Sequence, residues 1–265
     1  MAAPADITIK NLNGEWVMDS TLSNPTDSIL ALVWTFLSLS QSRGYIGCFS
    51  ERLHCEKRES NTEEPSTNNS PKQGMSWFLR KALPYATVTL HVHQYTDTES
   101  PLVYHIDIDQ VITGGITGSK EARKLDWEER EHVDNIFGKL QGRSRMFRGA
   151  KADDGKVRPS VDVHTKVGES EADAKVQKFL RGEVLVDGSA SDGFIVDDEG
   201  AEFGDGDGLW MQSFVRNEES GWTAEQIWGF ELVEGERRYT RRVAVTKDGQ
   251  VELARLVYTF QQRRT

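Results

Sequence analysis

Two groups of side chains have types and spacings suited to chemistry. The first lies near the C-terminus. Arg237 to Thr246 alternates as a strand, and one face reads Tyr239, Arg241, Val243, Val245. The next strand, Gln250 to Phe260, carries Val251, Leu253, Arg255 and Val257 on one face. A three-residue loop, Lys247-Asp248-Gly249, puts glycine where a type I turn with a bulge needs a left-handed residue. That register pairs Arg241 with Arg255 and lands both apolar stripes on one side. Two opposed guanidiniums repel, and burying either unpartnered is costly. A bridging anion offsets both terms, and arginine favours forked contact with a carboxylate. The expected ligand-binding residues are therefore Arg241 and Arg255, with Tyr239 on the same face. A two-residue loop slips the register by one. It sets Arg242 beside Arg255 on one face and Arg241 beside Leu256 on the other. Ordinary ion pairs with Glu or Asp are a third arrangement.

The second group lies on the first long hairpin. His91, His93 and Tyr95 share a face with Thr87 and Thr89, and Val88, Leu90 and Val92 share the other. On the partner strand His105, Asp107 and Asp109 oppose Tyr104, Ile106 and Ile108. A loop centred on Glu99 pairs His93 with His105 and His91 with Asp107. These are ligand types for zinc or iron, and His–Asp pairs suit proton transfer. Both strands turn their apolar sides away, however, so the histidines are expected on a solvated face. No metal and no catalytic residue is assigned. Trp127 to His132 reads as a strand end and turn. Asp205-Gly206-Asp207-Gly208 lacks the closing glutamate of a calcium loop. No nucleophile elbow, phosphate loop or dinucleotide fingerprint occurs, so no cofactor is implied.

The elements that position these groups are antiparallel strands. Period-two alternation marks Thr87–Tyr95, Leu102–Ile112, Ile116–Trp127, Ile136–Phe147, Lys178–Val186, Leu209–Val215, Trp222–Val233, Arg237–Thr246 and Gln250–Phe260. Leu12 to Met18 supplies a strand before them. A long meander must manage its edges, and closure into a barrel removes them. Residues 150–207 read as loops decorating that barrel.

Composition bounds the rest. The chain has 265 residues with a formal charge of −10, which argues against a nucleic-acid partner. Nine acids and no base fall between Glu183 and Asp207, within an acidic loop at 183–208. No apolar run is long enough to span a bilayer, and Met1 to Lys10 lacks a signal-peptide pattern. Cys48 and Cys55 fit neither a disulfide scaffold nor a metal spacing. The expectation is a cytoplasmic protein of unassigned oligomeric state.

Asn24-Pro25 opens a short helix, and Gln73 to Ala82 reads as a second. Between them residues 33–72 form an insert with a polar tract that cannot bury enough apolar surface to offset ordering. Its excision restores continuous helical sense, so it reads as a disordered segment or a retained intron. The barrel domain is then 1–32 plus 73–265.

Gly14-Glu15-Trp16 on the first strand resembles the G-x-W signature of lipocalins and fatty-acid-binding proteins. Two short helices, the Arg80-Lys81 pair and an uninterrupted meander follow in the same order. The chain thus resembles the calycin superfamily, and within it the intracellular fatty-acid-binding proteins and uncharacterised fungal lipocalin-like proteins. The resemblance implies a barrel of about ten strands with a helix-turn-helix lid over a cavity for a hydrophobic small molecule. Trp16 would plug the closed end, while Trp77 and Phe78 would either line a lid over the cavity mouth and touch ligand or simply anchor the second helix. The family's R-x-Y on the last strand departs here to Arg255-Leu256-Val257-Tyr258. Tyr258 then faces away from Arg255, and Tyr239 is the substitute. The first functional reading is an intracellular carrier of a hydrophobic small molecule with an anionic head group. The alternative is an isomerase, cyclase or dehydratase of secondary metabolism using the same cavity. A protein-interaction module built on the acidic loop is the third.

Overall fold

The structure, a computed structural model, describes residues 1–26, 87–113, 118, 120–134, 138–197 and 200–264. The two short helices flanking the insert, the insert itself, Trp77 and Phe78 lie outside these residues. Eleven strands form one antiparallel sheet: β1 Gly14–Met18, β2 Val88–Thr96, β3 Tyr104–Ile112, β4 Lys120–Lys124, β5 Arg130–Asp134, β6 Gly138–Lys151, β7 Val157–Pro159, β8 Asp207–Asn217, β9 Trp222–Val233, β10 Glu236–Lys247 and β11 Gln250–Gln262. Among the described residues one α-helix, α1, spans Ser170–Leu180. The strand order is β4-β3-β2-β1-β11-β10-β9-β8-β6-β5, with β7 on β6. First and last strands pair, Trp16 opposite Phe260. The sheet curls into a half-barrel. Beyond β4, Asp126 bridges to Arg145 on β6, and Trp127 N–H donates to Ser144 C=O at 2.8 Å. The barrel-type meander accords with the expected architecture.

The concave face holds the main core. Trp16, Leu90, Ile106, Ile108, Met211 and Phe260 pack there with Trp228, Phe230, Tyr239 and Tyr258. The N-terminal arm fills one end of it: Ile7, Ile9 and Leu12 are buried. The Gln94 side chain ties this arm down, accepting from Leu12 N–H at 2.8 Å and donating to Ile9 C=O at 3.1 Å. Trp16 is fully buried here and donates its indole N–H to Leu12 C=O at 2.9 Å.

The convex face carries a second core. Val161, Val163, Val176, Phe179, Leu180 and Phe194 cover Phe147, Trp210, Ile227, Ala244 and Leu253. Residues expected to be decorating loops therefore include α1 and a covering layer. The strand expected at Lys178–Val186 is instead the end of α1 and a loop. Val176, Phe179 and Leu180 recur at helical spacing on the buried side. Gly182, at φ 75°, stops the helix. Its N–H donates to Phe179 C=O, and Glu183 N–H donates to Lys178 C=O. The stretch expected as a turn at Trp127–His132 enters β5 at Arg130.

The C-terminal hairpin corrects the expected register. Asp248-Gly249 forms a two-residue turn, both residues at positive φ, between the paired Lys247 and Gln250. Arg242 faces Arg255, and Arg241 faces Leu256. The single-sided apolar stripe misled because both faces of this hairpin are buried, so alternation carried no information about side. On the convex face the two opposed guanidiniums do meet an anion, and it is internal. Arg242 grips Glu231 with Nε to Oε1 at 2.8 Å and Nη2 to Oε2 at 2.9 Å. Its remaining N–H groups reach Phe179 C=O, Val184 C=O and Ser191 Oγ. Arg255 approaches Glu231 Oε2 at 3.4 Å.

Burial works against the Glu231 charge, but Arg242, Arg255 and the Thr240 hydroxyl outweigh it and hold the carboxyl below its ordinary value. A carboxyl lowered on folding stabilises above its unfolded pKa, and the contribution fades as pH falls through the folded value. Stability should therefore drop on acidification below the ordinary carboxylate range. Glu231→Gln should cost about 3–5 kcal/mol near neutrality and flatten that acid limb in urea titrations at a series of pH values. An unchanged acid limb in the variant would show that Glu231 does not govern it.

Candidate functional site

A belt of polar side chains crosses the middle of the concave face. On β10, Tyr239 and Arg241 point inward, and on β11 Tyr258 and Leu256 lie opposite them. On β9 Trp228 pairs with Arg241. On β3 and β4, Gln110, Glu121 and Arg123 share the side of Ile106 and Ile108. Ser213 of β8 and Ser144 of β6 complete the belt.

Arg241 is 4 % exposed. Its Nε donates to Tyr239 Oη at 2.9 Å, and its guanidinium lies 3.8 Å over the Trp228 ring. Its Nη2 is buried with no hydrogen-bond partner. A buried donor without an acceptor costs the full desolvation of that group, and a bound ligand can relieve it. Burial works against the Arg241 charge, but the Tyr239 oxygen, which accepts from Nε, and the Glu121 carboxylate outweigh it and keep the group cationic. Burial pushes both tyrosine hydroxyls up, against the pull of Arg241, so they remain protonated donors. Tyr239 and Tyr258 are stacked obliquely at 5.2 Å, and Trp228 meets Tyr239 edge-on at 6.3 Å. The Trp228 indole N–H is committed to Gln226 Oε1 at 2.9 Å.

Across the belt Glu121 accepts from Arg123 Nε at 3.0 Å and Nη2 at 2.7 Å, and from Gln110 Nε2. Arg123 Nη1 donates to Ser213 Oγ at 2.7 Å. Burial opposes ionisation of Glu121, but Arg123 and Arg241, with the hydrogen bonds from Arg123 and Gln110, hold its carboxyl below the ordinary value.

Of the expected site residues, Tyr239 and Arg241 come together on the concave face. Arg255 does not join them, because the two-residue turn turns it to the convex side against Glu231. Tyr258, displaced from the R-x-Y pattern, does face away from Arg255, and that direction is into the belt. Gln110, Glu121, Arg123 and Trp228 were not anticipated. The signal available for β4 was the alternation Glu121, Ala122, Arg123, whose inward side only the pairing with Ile106 and Ile108 reveals.

The histidine hairpin pairs His93 with Asp107, His91 with Asp109 and Tyr95 with His105, two residues from the expected register. The shift is even, so the faces are unchanged and the histidines lie on the outward side. Tyr95 is stacked between His93 at 5.1 Å and His105 at 5.0 Å. Among the described residues no cluster of three or more His, Cys, Asp or Glu gathers as a metal site. Among them, too, no helix is long and apolar enough to cross a membrane.

Tyr239→Phe would leave Arg241 Nε without its acceptor. The expected loss is about 1–3 kcal/mol of stability, read from chemical denaturation. Retention of full stability would show that this hydrogen bond does not hold the guanidinium.

No known protein-family description matches the chain, and no solved structure does. Two curated proteins are similar over nearly their whole length. Pericyclase pydY of Acremonium sp is 21% identical over 260 residues, covering 98% of this chain and 97% of the relative. Probable pericyclase scpY of Mollisia scopiformis is 21% identical over 259 residues, covering 98% of this chain and 94% of the relative.

Proposed function

We propose that the concave belt is the active site of an enzyme of small-molecule ring formation, acting on a hydrophobic substrate with an anionic, oxygen-bearing head group. The observation that carries this reading is Arg241, buried and stacked on Trp228 with one edge unpartnered. The full-length similarity to two proteins named as pericyclases supports ring formation over simple carriage. The order of the two readings drawn from the sequence is thereby reversed.

The chemistry suits the residues present. A pericyclic step redistributes bonding electrons within the substrate, and no atom enters or leaves. It needs no nucleophile or proton relay. In the belt Ser144 and Ser213 face Arg123 rather than a histidine base. What such a reaction asks of a protein is a folded substrate conformation and a donor fixed where electron density builds up. Aromatic side chains at Trp228, Phe230, Tyr239 and Tyr258 supply a shaped apolar wall. Arg241 supplies the fixed donor, and Trp228 and Tyr239 restrict its motion. A hydrogen bond from Arg241 to a carbonyl conjugated with the reacting alkene would draw electron density from it. That lowers the barrier to attack by a diene.

The test uses an acyclic probe that carries a conjugated diene and an α,β-unsaturated carboxylate, followed by loss of diene absorbance and by product stereochemistry. The wild-type protein should accelerate cyclisation and bias it to one stereoisomer. Arg241→Met should lower kcat/KM by about 10–100-fold, the range for one hydrogen bond to a charged group. Arg255→Met should leave that rate within about twofold, as expected for a residue outside the belt. Binding of the probe with no acceleration would restore the carrier reading and sink this one.

A further inference from the structure

The belt holds two guanidiniums and one carboxylate, and they are not equivalently paired. Glu121 gives Oε2 to two N–H groups of Arg123 and Oε1 to the Gln110 amide. Arg123 also donates to Ser213 and Ser144 and lies 5.6 Å from the Trp228 ring centre. The Glu121 carboxylate thus spends its hydrogen bonds on Arg123 and Gln110, while its charge offsets one of the two guanidiniums. Arg241 has only a neutral acceptor, Tyr239, and its Nη2 is unpartnered at 4 % exposure. Charges to either side do not alter this balance. Arg237, next on the inward side of β10, is paired with Asp197 at 3.3 Å. Glu252, on the same side of β11, lies opposite Val245, about 13 Å along the strand from the residue facing Arg241.

We propose that Glu121 is a positioning residue that sets the charge the belt selects. By hydrogen-bonding Arg123 and balancing one of the two guanidiniums, it leaves the described residues of the belt with a single surplus positive charge, on the side of Arg241 whose Nη2 is unpartnered, so the substrate is taken as a monoanion in preference to a neutral molecule or a dianion. The proposal rests on the reading of the belt as the substrate site and goes further, naming the substrate's charge and the residue that determines it. A neutral ligand leaves the buried guanidinium without a counter-charge. A dianion brings a second negative charge beside Glu121, where like charges in a poorly hydrated site repel strongly. Removing the Glu121 charge frees Arg123 and makes the belt doubly cationic.

The test compares three probes with one acyl chain length: dodecanoate, dodecanamide and dodecyl phosphate. Binding is measured by calorimetry at about pH 8, where a phosphate monoester carries close to two charges. The wild-type protein should favour dodecanoate over both others by at least about tenfold. Glu121→Gln should shift the preference toward dodecyl phosphate by about tenfold or more. The double variant Glu121→Gln, Arg123→Gln restores the original charge balance and should return the wild-type order, which a merely structural loss would not do. Arg241→Gln should abolish the advantage of dodecanoate over dodecanamide. If Glu121→Gln keeps the wild-type order, or the double variant fails to restore it, the proposal is overturned. Wild-type protein that binds all three probes equally sinks the charge selection alone. Wild-type protein that binds none sinks the substrate-site reading with it.

Discussion

Arg241 and Arg242 are neighbours in the chain, and the pleat of β10 sends them to opposite sides of the sheet. Both are buried, so each must find compensation within its own layer. On the convex side the demand is met in full. The guanidinium forks onto Glu231 and caps the Phe179 carbonyl at the end of α1, where a cation is also favoured by the helix dipole. This one side chain joins the sheet, the helix and the loop that follows it. On the concave side the demand is met only in part. Tyr239 accepts one hydrogen bond and Trp228 offers its ring face, and the outer edge of Arg241 is left open. The same residue type on adjacent positions is thus fully hydrogen-bonded on one face and left with an unpartnered Nη2 on the other.

The difference between the two faces follows from what covers them. The helix α1 and the loops on either side of it lie over the convex side and bring their own carbonyls and a serine to Arg242. Such a layer can satisfy a guanidinium because it is irregular backbone with carbonyl groups to spare. The concave side is built from strands whose backbone groups are committed to their ladders. Only side chains can answer Arg241 there, and those of Glu121 and Gln110 are already engaged with each other and with Arg123.

Much of the strand pattern was legible in the sequence. Trp222–Val233 has the expected bounds, and β2, β3, β8, β10 and β11 lie within a few residues of theirs. Alternation reports a strand whichever face is buried. It reports which side faces the core only when the other side is wet. The hairpin of His91 and His105 has a wet side, so its faces were assigned correctly even though its register was off by two. The hairpin of Arg241 and Arg255 has no wet side, because α1 and its loop bury the back. That helix was itself misread, since Phe179 and Leu180 at the start of an apolar run look like strand when Val176 is left out of the window. One missed helix therefore displaced one arginine from the expected site. The belt residues on β3 and β4 were beyond reach for a different reason. The inward side of β4 is fixed by its pairing with Ile106 and Ile108, and a strand as polar as Lys120–Lys124 gives no hint of it.

The pairing of β1 with β11 also shapes how the chain can acquire this form. Trp16 sits against Phe260 and Tyr239, side chains from strands far later in the sequence. During synthesis the first strand leaves the ribosome with one partner still to be made. It can pair with β2, but its other edge remains bare until the last strand emerges. Closure is thus a late, long-range event of the kind that slows folding. The nascent protein must hold a tryptophan-bearing edge in waiting until β11 has been made.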